Sequence, residues 1–196
     1  MSNRKEEILI VALHLFARDG YEAVSVSQIA GELDMTKGAL YRHYKSKRDI
    51  FDCIVQRMEQ RDGEQAEEYD MPQEEKEKMP EQYEAVSLDD FVEYSQSMFE
   101  YWTDDDFASS FRKMLTIEQF RSEEMQKLYQ QYLVAGPASY VKALFESIGI
   151  VNAKDKAARF YAVMHFYYSL YDGAADKEKV KVEFVSAIKS LVQDLA

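Results

Sequence analysis

Between Thr36 and Arg48 the chain carries five basic residues, Lys37, Arg42, Lys45, Lys47 and Arg48, and no acidic one. Interleaved with them are Tyr41, His43 and Tyr44, and Gly38 stands two residues after the threonine. Cations spaced along a short helix suit phosphate and the edges of bases, and this is the chemistry of a recognition helix in a DNA groove. Gly38 is a poor helix residue, costing about 1 kcal/mol relative to alanine in an interior. In a first turn it has a use, because a helix start without a side chain can approach a phosphate closely.

These residues need a platform. Ser25 followed by Gln28 has the form of a capping box, and Val26, Ile29, Ala30 and Leu33 mark one apolar face of the helix that it starts. Asp34 is a turn residue that tolerates a left-handed backbone, and Thr36 can cap a second helix beginning at Lys37. Leu40 and Tyr44, four apart, pin one face of that helix inward and leave Lys37, Ala39, Tyr41, Arg42 and His43 outside. Upstream, Ile8, Val11, Ala12, Leu15 and Phe16 predict a first helix over Arg4–Arg18 that stops at Gly20, with His14 as a structural residue. Downstream, Ser46 caps a fourth helix carrying Ile50, Phe51, Ile54, Val55 and Met58.

The run Ile29-Ala30, Thr36-Lys37-Gly38-Ala39-Leu40-Tyr41 and His43-Tyr44-Lys45-Ser46-Lys47 resembles the DNA-binding domain of TetR-family transcriptional regulators. The resemblance covers about the first 60 residues; beyond them only length and helical character agree. It implies an all-α fold, with an N-terminal three-helix helix-turn-helix DNA-binding domain over residues 1–47 and a helical ligand-binding and dimerisation domain over 48–196. The candidate DNA contacts are Ser27, Gln28, Thr36, Lys37, Gly38, Ala39, Tyr41, Arg42, His43 and Lys47. Lys47 is expected to hold a phosphate. In the family the fourth helix links head to body, so its tilt sets the spacing of the two heads of a dimer.

A net charge of −12 looks wrong for a DNA binder until it is divided along the chain. Residues 1–61 hold ten basic and nine acidic residues, net +1, and the remaining 135 hold 14 and 27, net −13. The local field at the contact surface governs phosphate binding, and an acidic body elsewhere opposes non-specific adhesion. No stretch approaches the ~20 apolar residues of a membrane span, and the N-terminus does not read as a signal peptide, so a cytoplasmic protein without a membrane partner is expected. The single cysteine, Cys53, precludes an internal disulfide and reads as a small apolar helix residue rather than a redox sensor.

From Gly63 to Val86 the sequence is acidic and interrupted by Pro72 and Pro80, which predicts the end of the fourth helix and then a mobile loop. Helices are predicted from Ser87 to Trp102, Asp104 to Phe120, Ser122 to Ser147 with a bend at Gly136-Pro137, Asn152 to Tyr171, and Asp176 to Leu195. The helix over 152–171 is apolar almost all round and must be covered on two sides. In the family the last two helices of each subunit form a four-helix bundle in the homodimer, and the expected interface residues are Phe160, Tyr167, Tyr171, Phe184, Ile188 and Leu191. The alternative is that this helix is the centre of one subunit. A dimer would also give a helix-turn-helix its two half-sites on a palindromic operator.

The last 135 residues contain 11 Tyr, 9 Phe and the sole Trp, a composition that suits a core and also a pocket with apolar walls and a few polar handles. The expected lining of an inducer pocket is Phe91, Tyr94, Met98, Trp102, Phe111 and Met114, with Tyr129, Tyr161, Met164, His165 and Tyr168. Glu118 could orient a cationic or hydrogen-bonding ligand, or be a surface carboxylate. Nothing in the residues asks for a cofactor. The three histidines, His14, His43 and His165, are far apart, no carboxylate spacing suggests a metal, and phosphate loops and nucleophile elbows are absent, so an enzyme is not expected. The expected function is a homodimeric repressor released from its operator by a hydrophobic or aromatic small molecule. The competing reading is a DNA-binding regulator or architectural protein controlled by a protein partner.

Overall fold

A computed structural model describes residues 3–194, and its described residues contain helices and no strands. The elements are α1 (Asn3–Asp19), α2 (Val26–Glu32), α3 (Lys37–Leu40), α4 (Lys47–Glu68), α5 (Pro80–Ala85), α6 (Leu88–Asp104), α7 (Asp106–Glu118), α8 (Glu123–Leu133), α9 (Ala135–Ser147), α10 (Ala153–Gly173) and α11 (Lys177–Gln193). The expected end of the last helix at Leu195 lies outside the described residues. No described helix is long and apolar enough to cross a membrane. The chain divides into two compact units, one formed by residues 1–62 and 106–129, the other by 63–105 and 130–196.

In the first unit the local signals act as expected. Ser25 Oγ accepts from Gln28 N, and Gln28 Oε1 accepts from Ser25 N at 2.7 Å, so the capping box closes in both directions. Asp34 takes a left-handed φ of 51° at the turn. Thr36 Oγ1 accepts from Ala39 N at 3.1 Å and starts α3 at Lys37. Helical geometry then ends after Leu40, so α3 is a single turn continued by tighter turns to His43. Ile8, Ala12, Leu13 and Phe16 of α1, Ile29 of α2, Leu40, and Ile50, Ile54 and Met58 of α4 are buried. The sequence pattern does not predict the partner of α1: it packs along α7, a helix almost 90 residues away in sequence, through a row that includes Phe107, Phe111, Met114 and Leu115.

In the second unit α6 packs on α10 and α11, and α10 packs on α9 and α11. Its core is aromatic. Phe99 stacks on Phe184 at 4.0 Å and on Tyr168 at 5.4 Å, and Phe91 meets Phe160 at 4.7 Å and Phe145 at 5.2 Å. α4 extends through Gly63 to Glu68, as expected. Two expectations change here. The stretch read as a loop contains α5, because Pro80 occupies the first helical turn, where its missing N–H costs nothing. Tyr83 of α5 is buried, and its hydroxyl donates to the Glu74 carbonyl at 3.0 Å. The helix expected over 122–147 is two helices, broken at Val134 (φ −141°, ψ −83°). A Cβ on Gly136 would lie 1.9 Å from the Gln131 carbonyl oxygen, so the break depends on glycine.

Candidate nucleic-acid interface

The outward side of α3 and its following turn is basic and open. Lys37, Gly38, Tyr41 and Arg42 are exposed, Ala39 and His43 are half-buried, and Ser27 and Gln28 of α2 are exposed. Beneath them Leu40 is fully buried, and Tyr44 is buried with its hydroxyl donating to the Lys5 carbonyl at 3.0 Å. Burial raises the Tyr44 pKa, so the phenol stays protonated and keeps that bond. The Lys37 ammonium lies 5.8 Å from the centre of the Tyr41 ring, which is 44% exposed. An exposed tyrosine beside a lysine at a helix start has no packing role to explain it. Gly38 adds the same argument, since a Cβ there would meet no atom within 4 Å. Internal packing therefore does not require glycine at 38, and the space above it is free for a ligand backbone.

Two of the basic residues are engaged inside the unit. Arg48 makes a bidentate pair with Glu124 at 2.7 and 2.6 Å and bonds Asp52 at 2.7 Å, and these partners raise its pKa. It joins α4 to α8, and its charge is largely neutralised. Lys47 donates to the carbonyls of Tyr21 at 2.6 Å and Glu22 at 3.4 Å, and stands 4.2 Å from the Tyr21 ring centre. Of its three N–H donors one is left for phosphate, so Lys47 is first a tie between α4 and the α1–α2 connection. Lys45 is exposed and adds a further cation beside Arg42.

Behind this surface runs a chain of contacts that starts on α7. Glu118 is 1% exposed, which corrects its reading as a surface or ligand-facing carboxylate. Its Oε1 accepts the Tyr21 backbone N–H at 2.9 Å and lies 3.4 Å from Arg121 Nε. Tyr21 sits between the Phe16 and Phe51 rings, 5.1 Å from each, and its carbonyl receives Lys47. Gly20 precedes it at φ +88°, and a Cβ there would come within 2.7 Å of Glu118 Oε1. The sequence indicated a helix here; nothing in it indicated that Glu118, the last residue of α7, caps a turn 97 positions earlier.

The expected pocket residues fall in different units. Phe111, Met114, Glu118 and Tyr129 belong to the first; Phe91, Tyr94, Met98, Trp102, Tyr161, Met164, His165 and Tyr168 to the second. Phe111 and Met114 have no exposed surface and belong to the helix that packs on α1, so they are corrected to core residues of the first unit. Phe91 is corrected likewise, held among Phe145 and Phe160, and the Tyr161 hydroxyl donates to the Leu133 carbonyl at 2.8 Å. Tyr94, Met98 and His165 remain half-buried. A separate cleft of about 370 Å³ in the second unit, beside Val86, Leu88, Ile148, Ile150 and Lys156, includes none of the expected residues.

The expected dimer residues divide by burial. Phe160, Tyr171, Phe184 and Ile188 are buried within their own subunit, because α10 and α11 turn their aromatic faces to α6 and to each other. The Tyr171 hydroxyl bonds Asp104, which also pairs with Lys181, and burial with that contact pushes the Tyr171 pKa up to about 12. Tyr167 and Leu191 are half-buried. The apolar side chains left on the surface of these helices are Phe166 (58% exposed), Leu170 (38%) and Val182 (70%).

Among the described residues no group of three or more His, Cys, Asp or Glu could hold a metal ion. Residues 8–54 match the model of bacterial regulatory proteins of the tetR family. The chain is 40% identical over 65 residues to the HTH-type transcriptional regulator AcrR of Shigella flexneri, which is 33% of this chain and 30% of that protein. It is 38% identical over 58 residues, 29% of each chain, to the nucleoid occlusion factor SlmA of Escherichia coli O1:K1 / APEC. These sequence matches thus span less than a third of the curated relatives' length. In fold the match is longer: SmeT in complex with triclosan superposes with a TM-score of 0.70 at 14% identity, covering 97% of this chain and 90% of that one. Another SmeT structure is described as the repressor of the Stenotrophomonas maltophilia multidrug efflux pump SmeDEF. In sequence, residues 8–54 are similar to the bacterial regulatory proteins of the tetR family, and in fold the chain is similar to SmeT over 97% of its length.

Proposed function

We propose that the protein is a homodimeric repressor that binds a palindromic operator through α3 and is released by a hydrophobic or aromatic small molecule. The observation that carries the DNA assignment is the open basic surface of Lys37, Tyr41 and Arg42 around a Gly38 that internal packing does not require. In this reading residues 1–47 present the contact surface and residues 48–196 hold the ligand and the second subunit. Thr36, Ser27 and Gln28 hold or flank the helix starts, Ala39 and His43 border the groove-facing turn, and Lys47 offers its remaining N–H to phosphate. Dimerisation is supported by Phe166, Leu170 and Val182, exposed apolar side chains on two helices that a second copy would cover.

The ligand class is supported by the fold match to SmeT with triclosan bound and by the aromatic composition of the second unit, which includes Trp102 and Tyr168. The match to the head of SlmA, a nucleoid occlusion factor, favours the other reading, a DNA-binding protein controlled by a protein partner. Footprinting on DNA upstream of the protein's own gene, followed by thermal-shift screening of aromatic and amphipathic compounds, separates the two. A compound that binds the native state raises the melting temperature by mass action and, if it is an inducer, abolishes the footprint. A stable footprint that no stabilising compound removes rejects the small-molecule reading.

A further inference from the structure

The connection between α9 and α10 is apolar where a turn is ordinarily polar, for Ile148, Ile150 and Val151 stand around Gly149. Two left-handed residues fix its path, Gly149 at φ 78° and Asn152 at φ 58°. The turn is not folded away into the core: Ile148 and Ile150 are half-buried and Val151 is 72% exposed. With Val86 and Leu88, at the joint between α5 and α6, these residues line the cleft of about 370 Å³. Both connections belong to the second unit. Two polar side chains share the lining, Ser87 and Lys156. The first is engaged in starting α6, since its Oγ accepts from Asp90 N at 3.1 Å and donates to Asp90 Oδ2 at 2.6 Å. The charge in the lining is therefore that of Lys156, a half-buried residue at the end of the first turn of α10.

We propose that this cleft binds a small amphipathic organic anion, an aliphatic carboxylate whose chain lies against Leu88, Ile148 and Ile150 and whose head meets Lys156. The volume sets the size: about 370 Å³ is roughly twelve times the ~30 Å³ share of a water in the liquid, room for about ten non-hydrogen atoms. The lining sets the class. An organic cation would meet the like charge of Lys156, and an inorganic anion would leave the apolar walls wet. A carboxylate on a short chain uses both, with a charge-assisted bond at one end and apolar contact along the rest. The site is independent of the repressor reading, because none of the residues expected to line an inducer pocket belongs to it.

An ammonium carries three donors, so Lys156 can serve a ligand beside a contact within the chain. The start of α10 acts in the same direction, because Asn152 supplies no side-chain cap and the first N–H groups keep their partial positive charge. Asp89, Asp90 and Asp155 are close in sequence to the lining, yet none of them belongs to it. Asp90 is turned to its own cap, and the bonds from Ser87 hold its carboxyl below the usual carboxylate range. A ligand in the cleft joins the start of α6 to the start of α10, two helices that pack on each other, and so stabilises the second unit.

The test titrates the full chain with octanoate, octan-1-ol and octylamine, which share one chain and differ in the head, and follows the backbone amides by nuclear magnetic resonance. Octanoate at millimolar concentration should shift the amides of Ile150, Val151 and Lys156 and bind about fivefold tighter than the alcohol, a preference that high salt removes. From butanoate to octanoate each added methylene should tighten binding by up to about fourfold, the value for full burial. Lys156→Gln should bind octanoate and octan-1-ol alike. Val151 is 72% exposed, so charges placed there leave the fold intact: Val151→Asp should weaken octanoate and Val151→Lys should tighten it. Octylamine binding as tightly as octanoate, an undiminished preference in Lys156→Gln, or amides over 148–156 that do not move would overturn the assignment. Shifts around Met98 and Trp102 in their place would reject this cleft and credit the inducer pocket instead.

Discussion

Replacing Glu118 by alanine should loosen the DNA-binding head from a position that touches no DNA. The carboxylate is 1% exposed and accepts the Tyr21 N–H at 2.9 Å, and Tyr21 in turn receives Lys47 on its carbonyl. Removing a charged acceptor from a part-buried amide costs about 1.5–3 kcal/mol, while relief of the desolvated charge offsets a fraction of it. A net loss of about 2 kcal/mol corresponds to a fall in melting temperature of about 4–8 °C for a chain of this size. Glu118→Gln keeps an oxygen at the same place and should lose about 1 kcal/mol or less. The structure also predicts a coupling with Gly20. Gly20→Ala alone suffers both the left-handed φ and a 2.7 Å clash with Glu118 Oε1, but in the Glu118→Ala background the clash is gone and only the backbone cost of about 1–2 kcal/mol remains. Urea unfolding followed by far-ultraviolet circular dichroism gives the energies, and hydrogen exchange at the Tyr21 amide locates the effect. Trp102 lies in the second unit, so its fluorescence serves as an internal control. A Glu118→Ala protein within about 0.5 kcal/mol of wild type, with Tyr21 still protected, would refute the reasoning.

On operator DNA, Tyr41→Ala and Lys37→Ala should each weaken specific binding by about 1–3 kcal/mol if they touch bases, and gel shifts in which the double variant binds normally would rule the pair out. Lys47→Ala should lower stability as well as affinity, because its ammonium ties α4 to the Tyr21 carbonyl; an unchanged melting curve would contradict that role. If the protein is the proposed dimer, Phe166→Asp and Val182→Asp should convert it to folded monomers in analytical ultracentrifugation, whereas Phe184→Asp, with a side chain 1% exposed, should unfold the subunit; a monomeric wild type at micromolar concentration removes the interface altogether. Asp62 has a folded pKa near 7, above the ordinary carboxylate value, so the native state holds a proton that the unfolded chain gives up near pH 4. Its contribution is therefore complete below about pH 4 and is lost as pH rises through about 7, a change of about 4 kcal/mol. Relative to Asp62→Asn, the wild type should lose stability over that window, and parallel pH profiles of the two proteins would show that the carboxyl is not buried as described.

The head was legible in the sequence because its determinants are local. A capping box spans four residues, a turn needs one residue at positive φ, and the pinning of Leu40 and Tyr44 follows from helical spacing, so Ser25, Asp34 and Thr36 declared the elements before any packing was known. The same holds for the open basic surface around Gly38. What only the tertiary structure decided is which apolar faces meet. A helix carries no mark of its distant partner, so Phe111 and Met114 read equally well as pocket lining until α7 was found along α1, and Phe160 and Phe184 read as interface until α6 covered them. Polar residues were harder still, because their meaning lies in partners remote in sequence. Lys47 became a tie through Tyr21, Arg48 was neutralised by Glu124, and Glu118 became a buried acceptor 97 residues from its donor. Asp62 left a trace in the sequence, an acid in the i, i+4 row of Ile50, Ile54, Met58 and Ala66, but such a row can turn one member to solvent. Its burial, which makes the carboxylate costly, exists only once the chain is folded around it.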